Sequence, residues 1–284
     1  MSWVFVSSSN DIPSTIVKKN TKETKETKNI KEKPTALWVD QCRNTQDELA
    51  QCSDHIKTLA TMNQTHGRGR RGRIWQAPPQ ATLCISHRLT DIPMDQMRYI
   101  PLIVAVCLWE TLVHHPYTKD YIEDDQSLRI KWPNDLLFHT KKLAGILCEA
   151  RSLAHTADSL SSSSHTLLLG IGINCHAHAK LPPQAIALHH EKWGHPIQWT
   201  QWIDQLWTSL QSYLYVCKTQ GPQSILDKWR HYALPVGTRM QQNNIQGVYQ
   251  DIDIDGSLCL LNQQGLHRID SGEVDVITSS TAPQ

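Results

Sequence analysis

The sequence predicts an α+β protein, a central mixed sheet flanked by helices and followed by a small β-barrel-like tail domain. Three observations predict it. Short apolar strand patterns are interleaved with helix patterns from Ala36 to Tyr232, so sheet and helices share a core. Beyond Pro235 only short strands remain, divided by turn residues. The chain has 284 residues and 39% hydrophobic content, enough for one sizeable core and a smaller second one. The boundaries expected are a poorly ordered lead over 1–34, a main domain over 35–233 and the tail domain over 234–284.

The lead holds seven lysines and four acids, with a Lys/Glu/Thr run over 22–28, and has little to bury. Order is expected to begin at the apolar run Ala36-Leu37-Trp38-Val39. Asn44 or Thr45 can cap a helix through 46–50, because a side-chain oxygen there satisfies the first free amides. Residues 56–62 read as a strand that delivers a basic loop, and 81–86 as the next strand, with imperfect alternation. The dense apolar residues of 94–114 predict a buried helix with Pro101 in its first turn or at a kink. Leu128-Arg129-Ile130-Lys131-Trp132 alternates at period two and stops at Pro133. Residues 136–138 are expected to pair with 142–149 through a turn near His139-Thr140. A serine-rich loop over 151–165 precedes the strand 167–174, whose Gly170 and Gly172 imply that a ligand or another backbone passes close by. Trp199, Ile203, Leu206, Leu210, Tyr213 and Cys217 recur at helical spacing, and a second helix runs from about 223 to 232. The stripe Trp199, Trp202, Trp207 reads as core.

A formal charge of +1 leaves no overall basic field for general nucleic-acid binding. The eight cysteines are too scattered for a zinc knuckle or a C-x-x-C pair, which fits a reduced, cytoplasmic protein, and no metal site is expected from the fifteen histidines. No signal peptide and no apolar run of eighteen residues are apparent, so neither export nor a membrane span is expected.

Against that near-neutral background stands Gly67-Arg68-Gly69-Arg70-Arg71-Gly72-Arg73-Ile74-Trp75, four arginines and three glycines in seven residues before an aromatic. Guanidinium groups that dense need an anionic partner, and the glycines leave backbone amides open to it. The G-x-G-x-x-G spacing matches a dinucleotide fingerprint only if a helix follows, and the prolines at 78 and 79 forbid one. The expectation is a mobile basic loop that closes over a phosphate-bearing ligand, with an Arg/Gly-rich RNA contact as the alternative. Two further constellations, Lys131-Trp132-Pro133-Asn134-Asp135 with Lys142 and Gly170-Ile171-Gly172-Ile173-Asn174, end strands that could share one sheet. Together the three complement a nucleotide bearing a carboxylate.

These motifs, with Lys142-Leu143-Ala144-Gly145-Ile146-Leu147-x-Glu149 between them, resemble those of biotin protein ligases in the same order. The likeness covers about 36–276, and the tail is similar to that family's SH3-like domain. It implies a class II synthetase-like biotin/lipoyl ligase catalytic domain. The reaction it implies joins biotin to ATP as biotinyl-5′-AMP and then transfers biotin to a lysine of the biotin carboxyl carrier protein of acetyl-CoA carboxylase. Mg²⁺ would be bound mainly through phosphate oxygens. By the same match Arg68, Lys142 and Asp135 are the catalytic residues, Asp135 as base for the incoming lysine or as a structural turn residue. Biotin would be held by Asn44, Thr45, Gln64, Gly67, Arg68, Gly69, Arg70, Lys142 and Gly145, and the nucleotide by Arg70, Arg73, Trp75, Lys131, Asn134 and Asn174. Asn44 stands where the family often has serine. The short lead cannot form the helix-turn-helix of repressor members, so no operator binding is expected, while a homodimer stays open. A lipoate or octanoate ligase is the neighbouring alternative and lacks the arginine loop.

Overall fold

The computed structural model describes residues 1–8, 35–116, 118–119, 122, 127–152, 165–188 and 196–277. These form two compact units, one from 1–92 with 143–204, the other from 93–142 with 205–284. In chain order the elements are β1 (Ser2–Val6), β2 (Thr35–Val39), α1 (Thr45–Gln51), β3 (Ile56–Thr61), β4 (Thr82–Leu89), α2 (Ile100–His114), β5 (Leu128–Lys131), β6 (Asp135–Phe138), β7 (Lys141–Ser152) and β8 (His165–Asn174). They continue as α3 (Pro196–Gln220), α4 (Gln223–Tyr232), β9 (Arg239–Gln242), β10 (Ile245–Ile252), β11 (Leu258–Asn262), β12 (Gly265–Ile269) and β13 (Asp275–Val276).

The first unit is a mixed sheet in the order β1-β2-β3-β4-β8-β7. Its first three strands run parallel and the pairs from β3 onward are antiparallel. All eight residues of β4 are buried, which is why its sequence lacks clean alternation: a strand covered on both faces has no solvent side to mark. Leu49 of α1 packs into a cluster with Leu37, Val39, Cys42, Leu59 and Leu168. Order does not begin at Ala36. Ser2–Val6 pairs in parallel register with Thr35–Val39, and Trp3 Nε1 donates to Asp204 at 3.0 Å. The apolar run Trp3-Val4-Phe5-Val6 is a strand signal masked by the lysine-rich composition that follows it. Residues 9–34 lie outside the described residues, as does most of the serine-rich loop.

Arg88, 2% exposed and next to last in β4, is a polar core residue that periodicity did not mark. Its guanidinium donates to the carbonyls of Ser53 (2.7 Å), Ile56 (3.2 Å), Cys52 (3.0 Å) and Leu49, at the C-terminal end of α1. Asn44 caps the other end, its Oδ1 accepting from the amides of Gln46 (3.0 Å) and Asp47 (3.2 Å). Helix α1 is thereby pinned at both termini, where its free amides and carbonyls would otherwise face the interior.

The second unit gathers α2, β5, β6, α4 and the tail strands. Helix α2 is apolar almost all round because it is buried almost all round. The stretch 94–114 therefore reaches the length and mean hydropathy, 1.3, of a membrane span while serving as a core helix. Its first turn holds Pro101. Trp109 stacks on Tyr232 of α4 at 3.8 Å and donates to the Leu128 carbonyl at 2.9 Å. Beside it Glu110 accepts from Tyr213 (2.7 Å), Lys228 (2.5 Å) and Tyr232 (3.0 Å). The tail strands form an antiparallel sheet in the order β12-β11-β10-β9-β13. Arg230 of α4 donates to Asp251 and to the Ile252 carbonyl of β10, both at 2.7 Å. Because α4 packs on α2 and on β10, the compact units do not follow a sequential cut at 233/234. β5 and β6 form a hairpin around Trp132-Pro133-Asn134, a pairing that the sequence reading did not include.

The eight cysteines are all free, and burial pushes the Cys107 and Cys175 thiols up to about 12, as befits small core hydrophobes. Replacing Arg88 with Met should strip its donors from all four carbonyls, leaving those of Leu49 and Ser53 only the amides of Cys52 and Ile56, and cost about 3 kcal/mol. Urea denaturation checks this. A loss below about 1 kcal/mol would show that the carbonyls find other donors.

Candidate active site

Within the first unit, α1 begins where β2 ends and the basic loop begins just after β3, and the two are tied together. Gln64 Oε1 accepts from the backbone N–H of Thr45 at 2.8 Å and from Thr45 Oγ1 at 3.1 Å, while Ser86 Oγ of β4 donates to Thr45 Oγ1 at 2.8 Å. Asn44 is occupied at both ends of its amide: Oδ1 caps α1 and Nδ2 donates to the His66 carbonyl at 2.9 Å. Thr45 and Gln64 thus form one buried polar chain with Ser86, and Asn44 is the residue that seats the helix and the loop start. Ser86 escaped sequence reading because a lone serine in an apolar strand carries no signal of its own.

The loop is held rather than open. Trp75 N–H donates to the Gly67 carbonyl at 3.0 Å and Gly69 N–H to the Arg73 carbonyl at 2.7 Å, with a bridge between Arg68 and Ile74. A short 3-10 turn spans Arg70–Gly72, with Arg71 at φ 55° and Gly72 at φ 74°. The glycines of β8 make room for side chains of this same unit, not for a passing backbone. A Cβ on Gly172 would lie 2.5 Å from Trp75 Nε1 and 2.6 Å from Cζ2, and one on Gly170 would lie 2.6 Å from Gln46 Oε1. The Trp75 indole therefore packs against β8 at Gly172, and Gln46 reaches across to the Leu168 carbonyl at 3.1 Å. Gly145 of β7 pairs with Gly172, so this end of the sheet is lined by residues without side chains. Asn174, 2% exposed at the end of β8, accepts from Thr82 Oγ1 at 3.3 Å.

Arg68 is gripped by two carboxylates. Nη1 and Nη2 engage Asp47 of α1, the latter at 3.1 Å, and Nη2 also meets Glu149 of β7 at 3.0 Å. The hydrogen bond to Asp47 is the main reason its pKa is raised, with the Glu149 charge adding to it. Asp47 and Glu149 were not singled out in the sequence as residues with a role. Arg70 and Arg73 stand on the same loop, the first half-buried and the second exposed.

In the second unit the β5–β6 hairpin presents the other cluster. Asp135 lies between two ammonium groups, Lys142 Nζ at 2.6 Å from Oδ1 and Lys131 Nζ at 3.6 Å from Oδ2. The Lys131–Asp135 pair follows from strand register, since these two residues are cross-strand partners. Asn134 and Asp135 are each 8% exposed. Trp132, buried, donates from Nε1 to the Gly256 carbonyl at 3.0 Å. Each cluster by itself, the guanidinium beside buried hydroxyl and amide groups in the first unit and the two ammonium groups beside Asn134 in the second, is suited to anionic groups of a ligand. Among the described residues no group of three His, Cys, Asp or Glu side chains is placed to hold a metal ion.

Residues 42–174 match the model of the Biotin/lipoate A/B protein ligase family. The chain is 28% identical to the bifunctional ligase/repressor BirA of Bacillus spizizenii over 84% of this chain and 72% of that protein. It is 27% identical to the biotin–[acetyl-CoA-carboxylase] ligase of Mycobacterium tuberculosis, over 71% and 72%. Among solved structures, the biotin protein ligase from Aquifex aeolicus in complex with biotin and ATP superposes with a TM-score of 0.66 at 24% identity, covering 86% of this chain and 99% of the other.

If Trp75 anchors the loop, Gly172→Ala should lift it off β8. Limited trypsin digestion should then cut within 68–73 several times faster than in the parent protein, with the thermal midpoint lowered by only a few degrees. Unchanged cleavage would show that the loop does not depend on this contact.

Proposed function

The chain belongs to the biotin protein ligase family, ATP-dependent enzymes that attach biotin to protein, and from that premise we propose how its own residues carry the reaction. The acceptor is a lysine of a biotin carboxyl carrier protein, as the names of the related ligases suggest. The observation that carries the reading is the glycine-framed loop 67–75, seated on β8 by Trp75 and presenting Arg68, Arg70 and Arg73.

Joining the biotin carboxylate to the α-phosphate of ATP sets like charges together, and negative charge grows on the transferring phosphoryl group. Fixed cations offset both. Lys142 meets the biotin carboxylate and the α-phosphate, and Arg68 lies across the activated intermediate. Arg70, Arg73, Lys131, Asn134 and Asn174 hold the nucleotide, with Trp75 at its adenine end. Thr45 and Gln64 serve the ureido ring of biotin: Gln64 Oε1 is spent on Thr45, which fixes its amide so that the Nε2 donors point away from α1. Gly67, Gly69 and Gly145 keep the backbone close to the ligand. Mg²⁺ fits as an ion bound by the phosphate oxygens of ATP, and when bound it would neutralise phosphate charge.

The contact between Asp135 and Lys142 gives an order to the two half-reactions. While Lys142 Nζ rests 2.6 Å from Asp135, that oxygen is engaged. Once Lys142 turns to the biotin carboxylate, Asp135 is released to accept the proton of the carrier lysine in the second step. The free state of all eight cysteines favours a reducing, cytoplasmic setting.

The deciding measurement is ATP–pyrophosphate exchange with and without biotin. Exchange should require biotin, and Lys142→Ala should lower it about a hundredfold while the melting curve stays close to that of the parent protein. Exchange independent of biotin, or near-normal exchange in Lys142→Ala, would overturn these assignments.

A further inference from the structure

Ser86 of β4 is fully buried, and no step proposed above uses it. Its hydroxyl heads a polar chain that runs through Thr45 to Gln64. Thr45 offers its backbone N–H to Gln64 at 2.8 Å, and a backbone N–H only donates, so the atom it meets is the amide oxygen. Thr45 Oγ1 lies 3.1 Å from that same oxygen, which only accepts, so the threonine hydrogen points there. A lone pair of Thr45 Oγ1 then faces Ser86, and the serine donates to it at 2.8 Å. One backbone amide thus settles the direction of every bond in the chain.

A hydroxyl has one hydrogen and two lone pairs, and an amide oxygen has two lone pairs. Gln64 Oε1 is therefore filled by its two bonds from Thr45, and the group left to meet a ligand is Nε2, which only donates. On Thr45 the hydrogen and one lone pair are engaged, and the lone pair that remains only accepts. Among the described residues Gln64 Nε2 makes no hydrogen bond. Gly67 borders it, and a Cβ there would stand 3.0 Å from the nitrogen. The Gln64 backbone is tied to Cys42 by a β-bridge, so the amide cannot escape by a shift of the chain.

We infer that Ser86 is a positioning residue that sets the hydrogen-bond polarity of the substrate-ring site: by donating to Thr45 it leaves Thr45 Oγ1 an acceptor and Gln64 Nε2 a donor on adjoining side chains. The inference rests on the assignment of Thr45 and Gln64 to the ring of biotin made above. An acceptor next to a donor matches the N–H and C=O of a cyclic urea. It opposes a cyclic guanidine, which carries N–H groups at both places. Two hydroxyls 2.8 Å apart share one hydrogen between them, and because Ser86 supplies it, Thr45 keeps its own for Gln64. Without the serine hydroxyl the Thr45 hydrogen is free to turn to the ligand. A single backbone N–H then holds the Gln64 amide, and the site loses its choice of ring.

The probe is 2-iminobiotin, in which C=NH, protonated at neutral pH, replaces the ureido C=O. In ATP–pyrophosphate exchange the parent enzyme should prefer biotin to 2-iminobiotin by about a hundredfold or more in kcat/KM. Ser86→Ala should lower that preference about tenfold, mainly through a raised KM for biotin, with kcat within about twofold. Ser86→Thr keeps the hydroxyl and should retain the preference. Gln64→Glu keeps both bonds from Thr45 but presents an acceptor, and should reverse the preference towards 2-iminobiotin. Thermal melts accompany each variant, and Ser86→Cys, close in shape and only a weak donor, serves in place of Ser86→Ala if the latter does not fold. An unchanged preference in the folded Ser86 variant, an equal loss with both substrates, or a Gln64→Glu enzyme that still prefers biotin would overturn the inference while leaving the proposed function standing. So would a parent enzyme that uses both substrates alike. A parent enzyme without biotin-dependent exchange would overturn the proposed function, and the assignment of Thr45 and Gln64 with it.

Discussion

Four arginines within seven residues repel one another, and the protein can present them only where fixed negative charge and close packing oppose that repulsion. Arg68 supplies the tie: its guanidinium is held between Asp47 on α1 and Glu149 on β7, so loop, helix and strand meet at one charged group. A partly exposed ion pair contributes little to stability by itself. Its value here is geometric, because it fixes the direction of the Arg68 guanidinium. Much else in the first unit follows from that need. Helix α1 must not fray, and Asn44 and Arg88 close its two ends. The loop must not drift, and Trp75 lies on a strand stripped of side chains at Gly172.

The same economy of charge recurs in the second unit. Asp135 and Lys131 are cross-strand partners in a short hairpin, and Lys142 closes on the same carboxylate. Lys131 and Lys142 are thus paired with a protein carboxylate, as Arg68 is in the first unit. That arrangement avoids leaving ammonium and guanidinium groups bare and keeps them oriented.

The tail strands and helices α2 and α4 form one compact unit because α4 packs on α2 and on β10. The Trp109–Tyr232 stack and the Glu110 cluster give α2, α3 and α4 a shared interior that is partly aromatic and partly ionic. Burial of Glu110 raises its pKa, but the hydrogen bonds from Lys228 and Tyr213 and the lysine charge outweigh it and bring the net value down. The carboxyl stays ionised where it is half buried.

The amino-acid sequence by itself determined the order and kind of most elements, a helix cap at Asn44 or Thr45, a first turn or kink at Pro101, the basic loop and the lysine-bearing hairpin. Local chemistry fixes these: side-chain periodicity, proline geometry, and the rarity of four arginines among three glycines. It also determined the family, since those motifs in that order belong to few proteins. Only the tertiary structure decided the rest. Strand β1 was hidden because the composition of a long segment outweighed five of its residues. The β-bearing half of α4's packing, and with it the unit boundary, depends on contacts between distant stretches. Whether Gly172 faced a backbone, a ligand or Trp75 could not be read from a missing side chain. Asp47 was read only as a helix residue and Glu149 only as the end of a motif, neither with a role, because a charge acquires a role only when another is brought within about 3 Å of it, and that distance is set by folding, not by spacing along the chain.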